Sequence, residues 1–418
     1  MTTRTAGPSS RALGRWAVVV AGAVALAVAM GIGRFAFTPL LPMMLHDGVI
    51  DLPSASWLAS ANYLGYLAGA LLCTFQPWIW ARAPRLPPVD APWLVRGGLV
   101  ATGLLTLGMA LPWPAMWPLL RFAAGVASAL VFVYGSGWVL SQVARLQAPA
   151  MGGVMYAGPG AGIVVSGLFA SVMVQWHWRA AEAWLVFGVL AFVLSALVWR
   201  SFGRGEVAQP AAAAGNDATL ASEPHGAVEF GFLCATYGIA GFGYIVTATF
   251  LPVIARAALP GSPWLDMFWP IFGFGVFCGA LMASRLRVAG DLRLLLAGAY
   301  FVQAAGIAVG LWSPSLAGFA IGSLMLGLPF TAITFFAIQE VRRLRPAHAA
   351  SFIGLATAMY GLGQIVGPPL VALLLRHSGS ADAGFTRSLQ VAMGSLLVGA
   401  LVYLWMARAY PMRRAGAA

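Results

Sequence analysis

The chain has 418 residues, of which 60% are hydrophobic and only 9% are charged, and its mean hydropathy is +0.84. A soluble domain carries about 25% charged residues, so this composition excludes a water-soluble globular protein and predicts an integral membrane protein. The net charge is +12 and all 24 basic residues are arginines. These arginines are scattered between apolar runs and form no basic face, which argues against nucleic-acid binding.

Twelve apolar runs follow one another along the chain, and each is long enough for the ~20 residues that a membrane-spanning helix needs. The first run exceeds the about 7–15 apolar residues of a signal-peptide core, so it predicts a retained helix. The predicted spans cover residues 16–43, 55–80, 94–112, 115–143, 151–174, 180–199, 229–254, 263–284, 292–312, 315–339, 347–374 and 388–408. The sequence therefore predicts an all-α integral membrane fold with twelve transmembrane helices.

The arginines are distributed unevenly between the two sides that these spans define. With the N-terminus in the cytoplasm, 18 arginines fall in cytoplasmic segments and 4 in external segments, while Arg34 and Arg121 lie within spans. Cytoplasmic loops of membrane proteins collect Arg and Lys, so this bias predicts that both termini are cytoplasmic.

The longest polar segment of the chain lies at residues 200–228 and is rich in Ser, Gly and Ala. Such a composition predicts a flexible linker, here on the cytoplasmic side. The linker divides the chain into an N-terminal six-helix half at residues 1–199 and a C-terminal six-helix half at residues 229–418.

Two glycine motifs recur in these halves with one shared offset of 210 residues. The Gly-x-Gly motif at 31–33 recurs at 241–243, and the Gly-xxx-Gly motif at 65–69 recurs at 275–279. The shared offset predicts two six-helix pseudo-repeats. This is the architecture of major facilitator transporters, whose substrate site lies near the midplane between the halves.

The string Gly-Ile-Gly-Arg-Phe-Ala-Phe-Thr-Pro-Leu-Leu-Pro-Met-Met at residues 31–44 is followed by Asn-Tyr-Leu-Gly-Tyr-Leu-Ala-Gly at 62–69. Together these strings resemble the YbfB/YjiJ family within the major facilitator superfamily. The resemblance implies a multi-pass transporter of the bacterial inner membrane, and the fold-level default is a monomer. The sequence departs from the superfamily pattern at Cys73 and Ala283, which stand where the loop signature usually carries an aspartate.

Arg34 and Arg121 lie inside predicted spans, where an uncompensated guanidinium is costly and therefore indicates a partner or a use. Each lies six residues from the external end of its span, near Leu40 and Ala115, which is a depth of ~9 Å. Two cations at one depth would suit an anion, since a guanidinium binds a carboxylate through two parallel hydrogen bonds. The alternatives are snorkelling to the outer interface and a structural ion pair, although no Asp or Glu is expected at that depth.

Four further side chains are candidate substrate contacts. Tyr244 stands at the repeat position of Arg34, again at an offset of 210 residues. Tyr156, Tyr360 and Gln364 lie near Gly/Pro segments of spans 5 and 11 and would donate hydrogen bonds to a solute, although tyrosines also pack at helix interfaces. Structural or gating roles are predicted for Gly31, Gly33, Pro39, Gly158, Pro159, Gly367 and Pro368, with Pro39 expected to bend or end the first helix.

The sequence contains no nucleophile–base pair, phosphate-binding loop or metal-ligand spacing, so we expect no enzyme activity, cofactor or metal. The leading hypothesis is a secondary active transporter that moves a small organic anion across the lipid bilayer by alternating access. Proton coupling would use a peripheral acid such as Asp266 or Glu340, or the protonated substrate itself. Glu340 is expected to pair with neighbouring arginines in a solvated loop.

Two other functions fit the sequence. An efflux pump for lipophilic, drug-like compounds would explain the aromatic content of 12%. A transporter-like membrane sensor without flux would explain the missing loop aspartates.

Overall fold

The apolar runs of the sequence form long helices, because a chain in hydrocarbon must satisfy its backbone polar groups within each segment. The computed structural model describes residues 14–83, 85, 90–203, 226–262, 264–286, 290–345 and 349–412. Its α-helices are α1 (Arg15–Leu26), α2 (Phe37–His46), α3 (Leu52–Arg82), α4 (Ala91–Gly108), α5 (Trp117–Arg145), α6 (Gly158–Gln175), α7 (Ala180–Val198), α8 (Gly226–Ala258), α9 (Phe268–Arg285), α10 (Leu292–Trp312), α11 (Leu316–Gly327), α12 (Phe330–Leu344), α13 (Ala349–Arg376) and α14 (Ala381–Ala409). A π-helix at Ala27–Ile32 and 3-10 helices at Pro114–Met116, Pro149–Ala157 and Leu265–Met267 complete the described helical segments.

Eleven helical segments within the described residues are long and apolar enough to cross a membrane. They correspond to eleven of the twelve predicted spans. The exception is α4, which has only 18 residues and carries Arg96 near its start. It packs against α5 and α7. A twelfth span at 94–112 therefore remains a prediction, and the predicted linker falls mostly on residues 204–225, outside the described part of the chain.

The first predicted span, 16–43, corresponds to one helical segment at Arg15–His46 that is apolar enough to cross a membrane, but it is not an uninterrupted α-helix. After α1 the chain forms the π-helix and a turn at residues 33–36, and α2 begins only at Phe37. Pro39 explains part of this break, because it has no N–H for the carbonyl of Phe35, which accepts instead from the Thr38 amide at 3.2 Å. The break thus precedes Pro39, which lies inside α2 and does not end it.

The predicted span 315–339 is also divided, because α11 ends at Gly327 and α12 begins at Phe330, directly after Pro329. The two breaks are close in space. The rings of Phe35 in the first break and Phe330 in the second have centroids 6.5 Å apart. The interruptions of both spans therefore lie in one region of the molecule, which is also where the buried Arg34 lies.

Glycines allow several pairs of helices to pack backbone against backbone. A Cβ on Gly31 would lie 2.4 Å from a backbone carbon of α6, and a Cβ on Gly241 would lie 2.2 Å from a backbone oxygen of α13. A Cβ on Gly65 would lie 1.9 Å from a backbone oxygen of α5, and one on Gly275 would lie 2.8 Å from a backbone oxygen of α11. The recurring glycine motifs therefore serve helix packing.

The helices pack in two sets along the sequence. In the first set, α5 contacts α1, α3 and α4, and α4 also contacts α7. In the second set, α8 contacts α13 and α14, and α10 contacts α11 and α14. Contacts between the sets are made chiefly by α3 with α13 and by α6 with α9, while α2 reaches α8. Large exposed apolar side chains such as Leu197 and Val189 cover the outer surface, as a lipid-facing protein requires.

Candidate functional site

Arg34 lies in the turn of the broken first span, and its side chain is enclosed by the surrounding helices. The residue is only 3% exposed. Its Nη2 donates to Oε1 of Gln364 on α13 at 2.5 Å. The guanidinium carbon lies 4.1 Å from the ring centre of Tyr66 and 5.3 Å from that of Tyr63, which are one turn apart on α3. Cation–π attraction to these two rings stabilises the buried charge.

The hydrogen bond from Arg34 continues into the second set of helices. Gln364 Nε2 donates to the hydroxyl of Tyr244 on α8. The Tyr244 ring stacks on Tyr360 with centroids 5.9 Å apart and meets the edge of Phe330 at 4.8 Å. We name Arg34, Tyr63, Tyr66, Tyr244, Tyr360 and Gln364 the Arg34 cluster. It brings together four of the six predicted substrate contacts.

Arg121 of α5 reaches the same break but has different partners. Its Nη1 donates to the carbonyl of Gly33 at 3.2 Å and its Nη2 to the carbonyl of Arg34 at 3.1 Å. These carbonyls lie where the helical ladder of the first span is interrupted, so the guanidinium replaces missing backbone donors. Asn62 in turn donates to the carbonyl of Arg121 at 2.9 Å. The two arginines are therefore neighbours in the fold.

Neither arginine forms an ion pair with an acidic side chain of the described residues. Nine acidic residues lie in that part of the chain, each within five residues of a helix end or in a connection. They are Asp47, Asp51, Asp90, Glu182, Glu229, Asp266, Asp291, Glu340 and Asp382. The Nε atoms of Arg34 and Arg121 are buried and lack a hydrogen-bond partner. Burial also removes the snorkelling alternative in this conformation.

The other predicted site residues lie around the cluster. Tyr156 is in the 3-10 helix before α6 and packs on Phe132 with centroids 5.9 Å apart, while Phe132 meets Tyr66 of the cluster at 6.5 Å. One ring, that of Phe132, therefore separates Tyr156 from the Arg34 cluster. Gly158 and Pro159 mark the change from the 3-10 helix to α6, where a Cβ on Gly158 would lie 2.1 Å from a backbone oxygen of α1. Gly367 and Pro368 are buried in α13, which is continuous there.

The two peripheral acids proposed for proton coupling are both in ion pairs. Asp266 accepts from Arg256. Glu340 is 1% exposed and accepts from Arg343 at 2.6 Å, while Arg343 also contacts Glu229 at 2.7 Å. The expectation of a solvated loop at Glu340 is therefore wrong. The physical reason is that α12 continues to Leu344, so that Glu340 stays helical and packs towards α8 and α10.

This charged network extends to the start of α10. Arg293 is buried and donates to Glu229 at 2.8 Å and to Asp291 at 2.7 Å. Burial opposes ionisation of Asp291, but hydrogen bonds from Arg293 outweigh it and hold the pKa of that carboxyl below its ordinary value. These ion pairs connect the start of α8, the start of α10 and the end of α12, and so hold the three helix ends together.

Sequence reasoning missed several residues of the site. Tyr63 and Tyr66 provide the ring faces below Arg34, and the Tyr63 hydroxyl lies 3.0 Å from Oγ1 of Thr249 on α8. Tyr63 and Tyr66 are three residues apart on one apolar helix, and residues at that spacing share a helix face. This spacing could have predicted that the two rings lie side by side. Among the described residues, no group of three or more His, Cys, Asp or Glu could hold a metal ion.

Comparison with known proteins agrees with this fold. One similar solved structure is a mutant of the nucleoside transporter NupG, with a TM-score of 0.69 and 14% sequence identity, covering 93% of this chain and 99% of that one. Another is a bacterial homolog of the human lysosomal transporter Spinster in an inward-facing and unoccupied conformation. Its TM-score is 0.66 and its sequence identity 13%, and the match covers 97% of this chain and 98% of that one. At such identities the likeness shows the fold alone. No curated protein matches the sequence.

A family model is more informative than these structures, because a match to it over most of the sequence shows the family and not only the fold. The model described as "Uncharacterised MFS-type transporter YbfB" matches residues 26–404. That range includes the break in the first span, the Arg34 cluster and all the helices from α2 to α13. The chain therefore belongs to the YbfB family of MFS-type transporters, and it is a membrane transporter and not an enzyme.

Proposed function

We propose that this transporter moves a small organic anion and that Arg34 is the side chain that binds the anion. The observation that carries the proposal is a buried guanidinium with an uncharged amide as its acceptor and no carboxylate partner in the described part of the chain. An unneutralised buried charge is costly. A carboxylate accepts a shorter and stronger hydrogen bond from a guanidinium than an amide does. A bound anion would therefore replace Gln364 at Arg34.

The position of the cluster favours alternating access as the mechanism. Arg34 and Gln364 belong to the two different sets of helices, and so do Tyr63 and Thr249. A ligand that exchanges these contacts for its own would have different affinities for conformations in which the sets are together or apart. Such a difference is what allows a ligand to shift a conformational equilibrium.

We also propose the finer architecture that the sequence predicts. Twelve spans would form two six-helix halves at 1–199 and 229–418, with the linker and both termini cytoplasmic, in a monomer of the bacterial inner membrane. Three observations support this arrangement: the shared offset of the glycine motifs, the recurrence of glycine contacts with backbone in both sets of helices, and the bias of arginines towards one side.

The test of anion binding uses purified protein in detergent with a panel of organic carboxylates, sulfonates and phosphates. We expect at least one anion to raise the unfolding temperature of the wild type, and a ligand at a hundred times its Kd stabilises by about 2.7 kcal/mol. Arg34→Gln should lose this stabilisation. Arg82→Gln, which changes an exposed arginine, should keep it.

Transport of the same anions into proteoliposomes gives the second measurement. If Arg34→Gln does not fold, Arg34→Lys keeps the charge and should bind the anion more weakly, because an ammonium lacks the planar fork. Normal uptake of every transported anion by a folded Arg34→Gln protein would contradict the proposal.

Efflux of lipophilic, drug-like compounds is a second candidate function. The stacked rings of Tyr244 and Tyr360 and the neighbouring Phe330 favour it, because flat apolar molecules pack well on such surfaces. Resistance to drugs that persists in Arg34→Gln would support efflux and would not require an anion site.

A further inference from the structure

The Arg34 cluster offers a substrate one positive charge, and this limits which anions it can bind. The terminal nitrogens of Arg121 are engaged by the carbonyls of Gly33 and Arg34, so that guanidinium is held on the backbone of the break. Arg34 supplies the charge of the cluster and directs Nη2 to Gln364. A substrate with two carboxylates would leave the second one desolvated without a free terminal guanidinium nitrogen to pair with, which costs binding free energy.

The cluster is equally unsuited to a substrate that carries an ammonium group. Its other members are four tyrosines and one glutamine, and the acidic residues of the helices packed around it are engaged elsewhere. Glu229 on α8 and Glu340 on α12 pair with Arg343, and Asp266 before α9 pairs with Arg256. An ammonium would thus meet the Arg34 charge without a nearby carboxylate to balance it.

The remaining surface of the cluster consists mainly of aromatic rings. Tyr66 lies under the guanidinium at 4.1 Å, while Tyr244 and Tyr360 stack with an interplanar angle of 17°. The ring of Phe330 packs edge-to-face against the ring of Tyr244, with centroids 4.8 Å apart. Rings in offset-stacked or edge-to-face arrangements favour a flat, apolar partner over a bulky or polar one.

Resting on the proposed anion site, we propose that the Arg34 cluster selects monocarboxylates with a flat, apolar body, such as an aromatic ring. The carboxylate takes the place of the Gln364 amide at Arg34, and the body lies among Tyr66, Tyr244 and Tyr360. Dicarboxylates and amino acids are disfavoured by charge, and saturated bodies are disfavoured by shape.

A matched set of small molecules tests each part of this selectivity. Hydrocinnamate is the reference monocarboxylate. Phenylalanine adds an ammonium at its α-carbon, benzylmalonate adds a second carboxylate at the same carbon, and hydrocinnamamide removes the charge. Cyclohexylpropionate replaces the flat ring by a saturated one, and benzoate and naphthoate repeat the comparison with shorter and wider bodies. Binding to the purified full chain is measured by isothermal titration.

We expect the aromatic monocarboxylates to bind through Arg34. Phenylalanine, benzylmalonate and hydrocinnamamide should bind at least roughly tenfold more weakly, because each leaves a buried polar or charged group unpaired. Tyr66→Leu should weaken hydrocinnamate roughly fivefold by removing the ring face. Tyr66→Phe keeps that face and should bind hydrocinnamate like the wild type.

The outcomes separate this selectivity from the anion function itself. If benzylmalonate or phenylalanine binds as tightly as hydrocinnamate and Arg34→Gln abolishes that binding, the selectivity is wrong and the anion function stands. The same holds if only aliphatic anions of the wider panel bind through Arg34. If no anion depends on Arg34 for binding, both proposals fall.

Discussion

The two buried arginines show how one residue type serves two purposes within a few ångströms. Arg34 directs its terminal nitrogen to an amide across the interface between the two sets of helices. Arg121 directs both of its terminal nitrogens to the backbone of the same break. The acceptors of the two guanidinium groups therefore differ. Arg121 therefore holds the turn that carries Arg34, and Arg34 is the side chain that we propose to bind the anion.

The role of Arg121 predicts that lysine cannot replace it. A guanidinium spans two carbonyls with its planar fork, whereas an ammonium is a compact point charge. We expect Arg121→Lys to destabilise the protein by about 1.5–3 kcal/mol, the range for hydrogen bonds to charged groups. Thermal unfolding in detergent measures the change, with Arg82→Lys as the exposed control. Equal unfolding temperatures for Arg121→Lys and the wild type would contradict this role.

At the scale of elements, the broken first span differs from its repeat partner. The Gly-x-Gly motif recurs in α8, yet α8 is continuous from Gly226 to Ala258. Pro39 accounts for part of the difference, because the residue at its repeat position is Thr249, which keeps the N–H that proline lacks. The motif itself therefore serves packing in both halves and does not by itself interrupt the helix.

Packing of the first span against α6 makes Gly31 sensitive to any added side-chain atom. In Gly31→Ala the new Cβ would lie 2.4 Å from the backbone of Gly162, so one helix must move. We expect destabilisation by about 1–3 kcal/mol, the usual cost of overpacking. Gly137→Ala on α5 is the matched control, since its Cβ meets nothing within 4 Å. That control should be stabilised by about 0.5–1 kcal/mol.

Thermal unfolding in the same detergent measures the stability of Gly31→Ala and Gly137→Ala relative to the wild type. A Gly31→Ala protein as stable as Gly137→Ala would mean that α6 yields easily at this contact.

At the scale of the whole molecule, the number of spans depends on α4. Among the described residues eleven segments meet the length and apolarity of a span, and α4 is the predicted twelfth. If α4 crosses the membrane, the ends of α3 and α5 next to it lie on opposite sides. If α4 does not cross the membrane, those two ends lie on the same side, and every later loop lies on the side opposite to the one predicted.

Single cysteines before and after α4 distinguish these two arrangements. The three natural cysteines, Cys73, Cys234 and Cys278, are first replaced by serine or alanine. We expect a membrane-impermeant maleimide to label Trp113→Cys from outside the cell, because Trp113 is 59% exposed beyond the end of α4. Ala83→Cys should be labelled only after the membrane is opened. Labelling of both positions from one side would exclude twelve spans.

Much of the site could be predicted from sequence, but not how its residues meet. Arg34, Tyr244, Tyr360 and Gln364 were identifiable as unusual polar residues in apolar runs. Arg121 was identified as a second anion ligand, and its observed acceptors are backbone carbonyls that exist only because the first span is interrupted. An interruption of this kind has no simple sequence pattern, since the same glycine motif leaves α8 intact.

The sequence by itself determined the class of protein, the position of most spans and the residues that are costly to bury. Each apolar run satisfies its own backbone in hydrocarbon, so local composition is sufficient to predict these features. The tertiary structure alone decided that Arg34 meets Gln364, a residue 330 positions away, and that Tyr63 and Tyr66 face it. A helix that is apolar on every side does not indicate in its sequence which face turns towards a partner helix.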